Sequence, residues 1–313
     1  MTAERPKLLF TGASGFLASN VLPWLAESFD CIGVSRSEPG DETSFLAARE
    51  QADLTDPTAV KWLLRNRPVD VVVHAAALAN VDACEREPAA AYRANVAMTA
   101  NLVRAMTELG GNARLVLVST DQVYNGPGPH AEGDVAPINV YALTKLWAED
   151  WAERYGNALT VRVNFFGFNG RDRSGLAGWV ARSLAARERI TLFDDVMFNP
   201  LHTAHLAEIL SALIARGSLG RINLGAGGRG MSKANFARLI ADKLGLSLDN
   251  AVVGKAAEAA LAAARPKDMR MRTDRLEAEL GRSIPTVEDG IELFCAEWLA
   301  AATAHELEAS GWR

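Results

Sequence analysis

Three residue types that together can reduce a carbonyl stand within a short stretch of this sequence. Thr120 ends the apolar run "RLVLVST" (114–120), and "YALTK" follows, with Tyr141 and Lys145 four positions apart. On a helix that spacing puts both side chains on one face. Carbonyl reduction needs hydride on carbon and a proton on oxygen. A free phenol, with a pKa of about 10, exchanges protons poorly at neutral pH. Moving it toward 7 takes about 4 kcal/mol of preference for phenolate, which a neighbouring ammonium and a positively charged cofactor ring can supply. Thr120 would hold the carbonyl oxygen. A Y-x-x-x-K spacing alone says little, because any amphipathic helix can contain it. Joined to a strand-end hydroxyl and a glycine turn, it becomes specific.

That glycine turn is present. "LLFTGASGFLASN" places Gly12 and Gly15 between an apolar strand and an apolar helix, in the spacing T-G-x-x-G-x-x-A with Ala18 where a third glycine could stand. Glycines there permit a tight turn and a close backbone approach, and the helix start offers N–H groups to a diphosphate. Ser14, Gly15, Phe16 and Leu17 are the contacts expected at this turn. The second strand ends in "GVSRS". A carboxylate there would bind both ribose hydroxyls, whereas an arginine pairs with a 2′-phosphate. Ser35 and Arg36 therefore favour NADP(H) over NAD(H). In "ADLTD", Asp53 and Leu54 follow a third strand, and Asp53 is placed to accept from the adenine amino group. Thr55 or Asp56 would compete as helix caps in the same loop.

The elements that must position these residues are legible in outline. Strands are expected at 7–10, 31–35, 69–76, 114–120 and 159–164, with helices near 15–28, 57–66, 87–109 and 140–155. Continuous Val-rich strands imply burial on both faces, as in a parallel sheet covered by helices. The alternation predicts an α/β fold, a doubly wound parallel sheet of Rossmann type with a smaller C-terminal lobe. In an open sheet of this kind, ligands sit outside the carboxyl ends of the strands. Ser119, Thr120 and Asp121 would emerge there. We expect residues 1–165 to form the dinucleotide-binding domain, with 203–220 returning to it, and 166–313 to form mainly the substrate-binding lobe. "RITLF" and "RINLG" read as short strands, and 203–216, 232–244 and 287–308 as helices. The Ala-rich "KAAEAALAAA" (255–264) has the composition of a helix.

Composition narrows the class. With 313 residues, 49% hydrophobic, the chain can bury a sizeable core, and its net charge of −5 offers no overall basic field for nucleic acid. Cys31, Cys84 and Cys295 are odd in number and widely spaced, suggesting neither a disulfide framework nor a zinc cage. The start "MTAERPKLLF" lacks the apolar segment of a signal peptide, and no run of about 18 apolar residues offers a membrane span. A cytoplasmic location without membrane association is expected.

The chain resembles the extended short-chain dehydrogenase/reductase superfamily, and within it the dTDP-4-dehydrorhamnose reductase-like branch. The resemblance runs through "TGASGFLA", "VDVVVHAAALANVDACEREP", "NVAMTANLV", "LVSTDQVYNG", "YALTKLWAE" and "RPKDMRMRTDRL". It implies that Thr120, Tyr141 and Lys145 form the catalytic triad, and that Asn95 supports the site's architecture. Ala75, Ala76 and Ala77 would line the cofactor, and Asn164 and Phe165 would approach its nicotinamide. It further implies that Asp121, Gln122 and Asn164 meet substrate with Thr120, and that Arg265 approaches a nucleotide-sugar diphosphate; an ordinary loop role for Arg265 competes. The implied activity is NADP(H)-dependent reduction of a keto-sugar nucleotide, with a 4-keto-6-deoxy sugar as substrate. A homodimer through the helices near 87–109 and 140–155 is also implied, although their apolar residues could equally face the sheet.

Departures from the branch bear on the substrate. Gln122 stands where a tyrosine is common, and Ala142 and Ala148 stand where glycines are common. The related 4,6-dehydratases carry a glutamic acid after the aspartate, and an amide at Gln122 cannot donate and recover a proton. Two rivals remain: a nucleotide-sugar epimerase, and a regulatory subunit resembling the non-catalytic subunit of methionine adenosyltransferase.

Four further features are weighed separately. "GAGGRG" (Gly225–Gly230) matches G-x-G-x-x-G, yet no strand alternation follows, so a flexible strand–helix connection capped by Ser232 is expected. His202 and His205 lack a third ligand nearby in sequence, and no metal site is expected. Arg171 and Arg173 could meet phosphate or simply be solvated. The tryptophans read as packing residues.

Overall fold

The computed structural model describes residues 5–37, 45–168, 175–258 and 261–309. Seven strands build the central sheet: β1 (Lys7–Thr11), β2 (Asp30–Ser35), β3 (Ala48–Gln51), β4 (Val71–His74), β5 (Arg114–Thr120), β6 (Ala158–Val163) and β7 (Gly220–Leu224). Their spatial order is β7-β6-β5-β4-β1-β2-β3, and every pairing is parallel. Parallel neighbours need a crossover, and helices supply it. The fold is α/β and Rossmann-like.

The absence of alternation in the strands has a direct cause. Leu8 and Phe10 of β1 enter one core and Leu9 the other; Val71 and Val73 of β4 divide from Val72 in the same way, as do Val116 and Val118 of β5 from Leu115 and Leu117. Beyond their first residues the central strands are thus buried throughout, and successive side chains feed opposite faces. The core on one face joins α1 (Phe16–Leu25), α5 (Gly175–Ala185), α6 (Thr203–Arg216), α7 (Lys233–Leu244) and α8 (Val287–Ala309). The other carries α2 (Pro57–Asn66), α3 (Met98–Glu108) and α4 (Val140–Tyr155).

Several expectations change in detail. The strand expected at 69–76 is Val71–His74, and the short strand expected at "RINLG" is the sheet edge β7. The polar "AREQ" of β3 serves as the opposite edge. The helix expected over 87–109 is preceded by a separate turn at Val81–Arg86 and passes through a π-helical segment at Tyr92–Ala97 before α3. "KAAEAALAAA" forms one 3₁₀ turn, Ala256–Glu258, among its described residues. Local propensity loses there to outside partners: Lys255 pairs with Asp194 at 2.7 Å, Ala256 N–H donates to Asp195, and Ala263 N–H donates to Asp82. The tryptophans are also less buried than expected, with Trp24, Trp62, Trp147 and Trp179 exposed and Trp298 in the core.

Beyond the sheet, three small strand pairs join Ile190–Phe193 to Ala251–Gly254, Met197–Phe198 to Met231–Ser232, and Phe165–Phe166 to Leu201–His202. "GAGGRG" is the β7–α7 connection, but it is tightly packed. A Cβ at Gly227 would lie 2.3 Å from the Ile284 carbonyl oxygen, and one at Gly225 2.6 Å from the Asn199 amide. Ser232 caps α7 by accepting from Asn235 N–H at 3.1 Å. No helix among the described residues is long and apolar enough to cross a membrane.

Candidate active site

The site forms where β1, β4, β5 and β6 end on one side of the sheet. Gly12 leaves β1 with φ +77°, and a Cβ there would lie 3.0 Å from both N and Cα of Ala76. Glycine is therefore required by conformation and by the neighbouring loop together. Gly15 caps α1 without a side chain, and the first turn of α1 carries no carboxylate. Its N-terminal dipole is thus left open to an anion, which fits a diphosphate. Ser14 is exposed and Leu17 half-buried, while Phe16 stacks on Phe165 with ring centroids 6.1 Å apart.

Arg36 is exposed at the end of β2 and lies within electrostatic reach of Asp53, so both face the same mouth. An exposed guanidinium there suits a 2′-phosphate. Ser35 is buried, its hydroxyl donating to the Ser37 carbonyl. Asp53 accepts from Thr55 N–H and Oγ1 at 2.9 and 2.8 Å, which holds its carboxyl below the usual range. The capping role falls to Asp56, which accepts from Thr58 N–H. Leu54 turns into the core, and its carbonyl accepts from Asn101.

Thr11 and His74 are a pair that the sequence reading passed over. Thr11 Oγ1 accepts from Ala75 N–H and Ala76 N–H, both at 3.2 Å, and lies 2.7 Å from His74 Nδ1. A hydroxyl has one proton, so with both N–H groups donating to it, that proton goes to His74. Burial pushes His74 down to about 3, consistent with a neutral ring. The pair fixes the Ala75–Ala76 loop over Gly12; Ala77 beyond it is exposed. Threonine ahead of Gly12 and histidine ahead of Ala75 were the available signals.

Thr120, at the end of β5, hydrogen-bonds Tyr141 of α4, and Lys145 lies one turn further along that helix; all three are buried. Thr120 hydrogen-bonds Tyr141 and so favours its phenolate, but burial dominates and pushes Tyr141 up to about 12, with Asp121 and Cys84 acting in the same direction as burial. In the protein alone the shift therefore runs opposite to the expected approach to 7, because desolvation outweighs the neighbouring groups. Lys145 Nζ donates to the Val118 carbonyl at 2.7 Å, and burial lowers it to about 8 against the opposing pull of Glu149.

Asp121 is fully buried beside Thr120. Desolvation raises it to about 6, partly opposed by the hydrogen bond from Asn164 and by Lys233. Gln122 donates to Met269 Sδ at 2.8 Å, while its carbonyl oxygen is buried without a partner among the described residues. Lys233, the first residue of α7, was also missed; it lies within reach of Asp121 and Arg265. Arg265 has an internal partner, Asp82, at 2.8 Å and also donates to the Ala263 carbonyl. Asn95 lies in the π-helical segment and joins the Leu78 backbone to Thr144.

His202 is buried at the start of α6, where its Nδ1 accepts from Ala204 N–H, and its ring lies 6.2 Å from that of His205. Among the described residues no three His, Cys, Asp or Glu side chains cluster as a metal site. Arg171 and Arg173 lie outside the described residues.

Comparison with known proteins identifies the family and the fold. The sequence model of the RmlD substrate binding domain matches residues 6–299. A probable low-salt glycan biosynthesis reductase of Haloferax volcanii is 32% identical over 290 residues, covering 90% of this chain and 94% of that protein. A dTDP-4-dehydrorhamnose reductase of Mycobacterium tuberculosis is 33% identical over 255 residues, 78% of each chain. The crystal structure of dTDP-4-dehydrorhamnose reductase from Bacillus anthracis in complex with NADP superposes with a TM-score of 0.81 at 26% identity, covering 94% of this chain and 100% of that one. The chain belongs to the RmlD substrate binding domain family, a branch of the extended short-chain dehydrogenases/reductases.

Proposed function

We propose that the protein is an NADP(H)-dependent oxidoreductase that reduces the ketone of a nucleotide-bound keto-sugar, with a 4-keto-6-deoxy sugar as the substrate class. The observation that carries the reading is the convergence of Thr120, Tyr141 and Lys145 at the end of β5, beside the Gly12 turn. Arg36 at the mouth supports a phosphorylated ribose, and the NADP complex of the Bacillus anthracis relative supports the same choice of cofactor.

Bound NADPH would supply the hydride. Thr120 orients the substrate carbonyl, and Tyr141 delivers the proton to its oxygen. Lys145 supplies positive charge below them, which favours the phenolate left behind. Asp121 and Asn164 shape the wall on which the sugar rests. Gln122 contributes an amide where a dehydratase would need an acid.

The test is a screen of the purified protein against keto-sugar nucleotides, read by NADPH absorbance and by NMR of the product. Stoichiometric NADPH oxidation with a reduced product is expected. Interconversion of epimers without net NADPH use would replace the reading by an epimerase. Turnover that arises only in a partner enzyme would replace it by a regulatory subunit.

A further inference from the structure

Glu149 is fully buried and lies two helical turns beyond Tyr141 and one beyond Lys145, on the same face of α4. Its Oε1 accepts from Arg162 Nε at 3.0 Å and from the Ser119 hydroxyl, and its Oε2 accepts from Arg162 Nη2 at 2.6 Å. Arg162, in the middle of β6, is 1% exposed. It is held in turn by Tyr124 Oη at 2.8 Å and the Glu132 carbonyl at 2.6 Å, and Tyr124 donates onward to Asn223 at 2.6 Å.

Three consecutive residues of β5 thus address the three α4 side chains. Thr120 meets Tyr141, Val118 receives the Lys145 ammonium through its carbonyl, and Ser119 meets Glu149. We propose that the buried Glu149–Arg162 pair is a positioning element for Lys145, holding it in register with β5 and keeping it charged. Its consequence for turnover rests on the functional reading above; its effect on Lys145 does not.

The charges form a chain of dependence. Arg162 grips the Glu149 carboxylate through two charge-assisted hydrogen bonds. The negative charge held there opposes the burial that lowers Lys145. Among the described groups facing the ammonium, His74 approaches from β4 and is neutral, and Tyr141 shares its helix. Asp121 and Cys84 lie nearer Tyr141. Arg104 of the packed helix α3 is exposed, over the Trp151 ring. Among the described residues, Glu149 is the anion that acts on Lys145. A buried ion pair is not by itself a strong source of stability, so its presence beside the site calls for a different reason.

The experiment follows the Lys145 resonance in protein carrying ¹³Cε-lysine, assigned by its loss in Lys145→Arg, through a pH titration. Glu149→Gln should lower the midpoint by about 1 pH unit. That variant strands the Arg162 charge and could fold poorly, so Glu149→Gln/Arg162→Met is titrated beside it; Arg221, whose Nε lies 3.6 Å from Glu149 Oε2, keeps its pairing with Glu153 in both variants. A lowered midpoint in the double variant supports the proposal. An unchanged midpoint in the folded double variant overturns it, including when the single variant alone shifts, since the stranded arginine would then be the cause. With an accepted keto-sugar, the alkaline limb of kcat/KM should move to lower pH in parallel. A wild-type protein inactive on every keto-sugar would overturn the functional reading and leave the titration result standing.

Discussion

Asn95 donates to the Thr144 hydroxyl at 3.0 Å, joining the π-helical segment to the helix that carries Tyr141 and Lys145. Its carbonyl accepts from Leu78 N–H at 2.8 Å and its amide also donates to the Leu78 carbonyl. One side chain thus ties the loop after β4 to α4. Asn95→Ala would leave buried backbone groups unpaired and should destabilise the protein by about 2 kcal/mol. Denaturant unfolding measures this directly; an unchanged midpoint and slope would show that these bonds are dispensable.

Tyr141 is expected to carry the proton. Burial holds the phenol at about 12, so in the free protein it remains protonated throughout the neutral range, the correct state for a donor. Tyr141→Phe keeps the ring and removes that proton. Cofactor affinity should survive, while single-turnover NADPH oxidation should slow by about 10²–10⁴-fold. A folded variant with an undiminished single-turnover rate would rule out this role.

Cofactor choice rests on Arg36. Its exposed guanidinium beside Asp53 predicts that Arg36→Ala weakens NADPH by about 1–3 kcal/mol while leaving NADH nearly unchanged. Titration of both cofactors against both proteins decides the matter. Equal losses would remove the 2′-phosphate assignment.

Asp121 should make stability depend on pH. Burial raises its carboxyl to about 6, so between the unfolded value near 4 and about 6 the native state binds more protons than the unfolded one. The associated stability is present in full below the lower value and is lost as pH rises through the upper one. Asp121→Asn removes this titration and can still accept from Asn164. The variant should exceed wild type by about 2 kcal/mol at pH 8. The gap should narrow at pH 5. Unfolding curves at the two pH values test it, and a gap independent of pH would refute the assignment.

Assembly remains a proposal drawn from the exposed side chains of the helices expected to pair. Tyr92 and Trp147 meet edge to face at 6.2 Å, and both are exposed. Trp147→Glu should convert a dimer to a monomer by light scattering at micromolar concentration. A monomeric wild-type protein would remove the homodimer expectation outright.

Features set by local chemistry were legible in the chain itself. Gly12 must be glycine because its φ is positive, and Val71–Val73 and Leu115–Val118 must be interior because unbroken apolar runs need cover on both faces. Thr120, Tyr141 and Lys145 were visible because a strand end and one helical turn are short-range geometry. Departures arise where distant partners decide. Arg162 reads as an odd charge in an apolar strand until β6 is laid against α4 and Glu149 faces it. Arg265, for which a diphosphate contact and an ordinary loop role compete in the sequence, gains its Asp82 partner only on folding. The Ala-rich run has helical propensity, yet Asp82, Asp194 and Asp195 engage it from elsewhere in the chain. Propensity is weak per residue, whereas a buried charge or unpaired backbone group costs enough to override it. Sequence alone therefore determined the central strands of the sheet, the glycine turn and the grouping of Thr120, Tyr141 and Lys145, and only tertiary structure decided the sheet edges and which buried charges face one another, because those depend on contacts with no short-range signature.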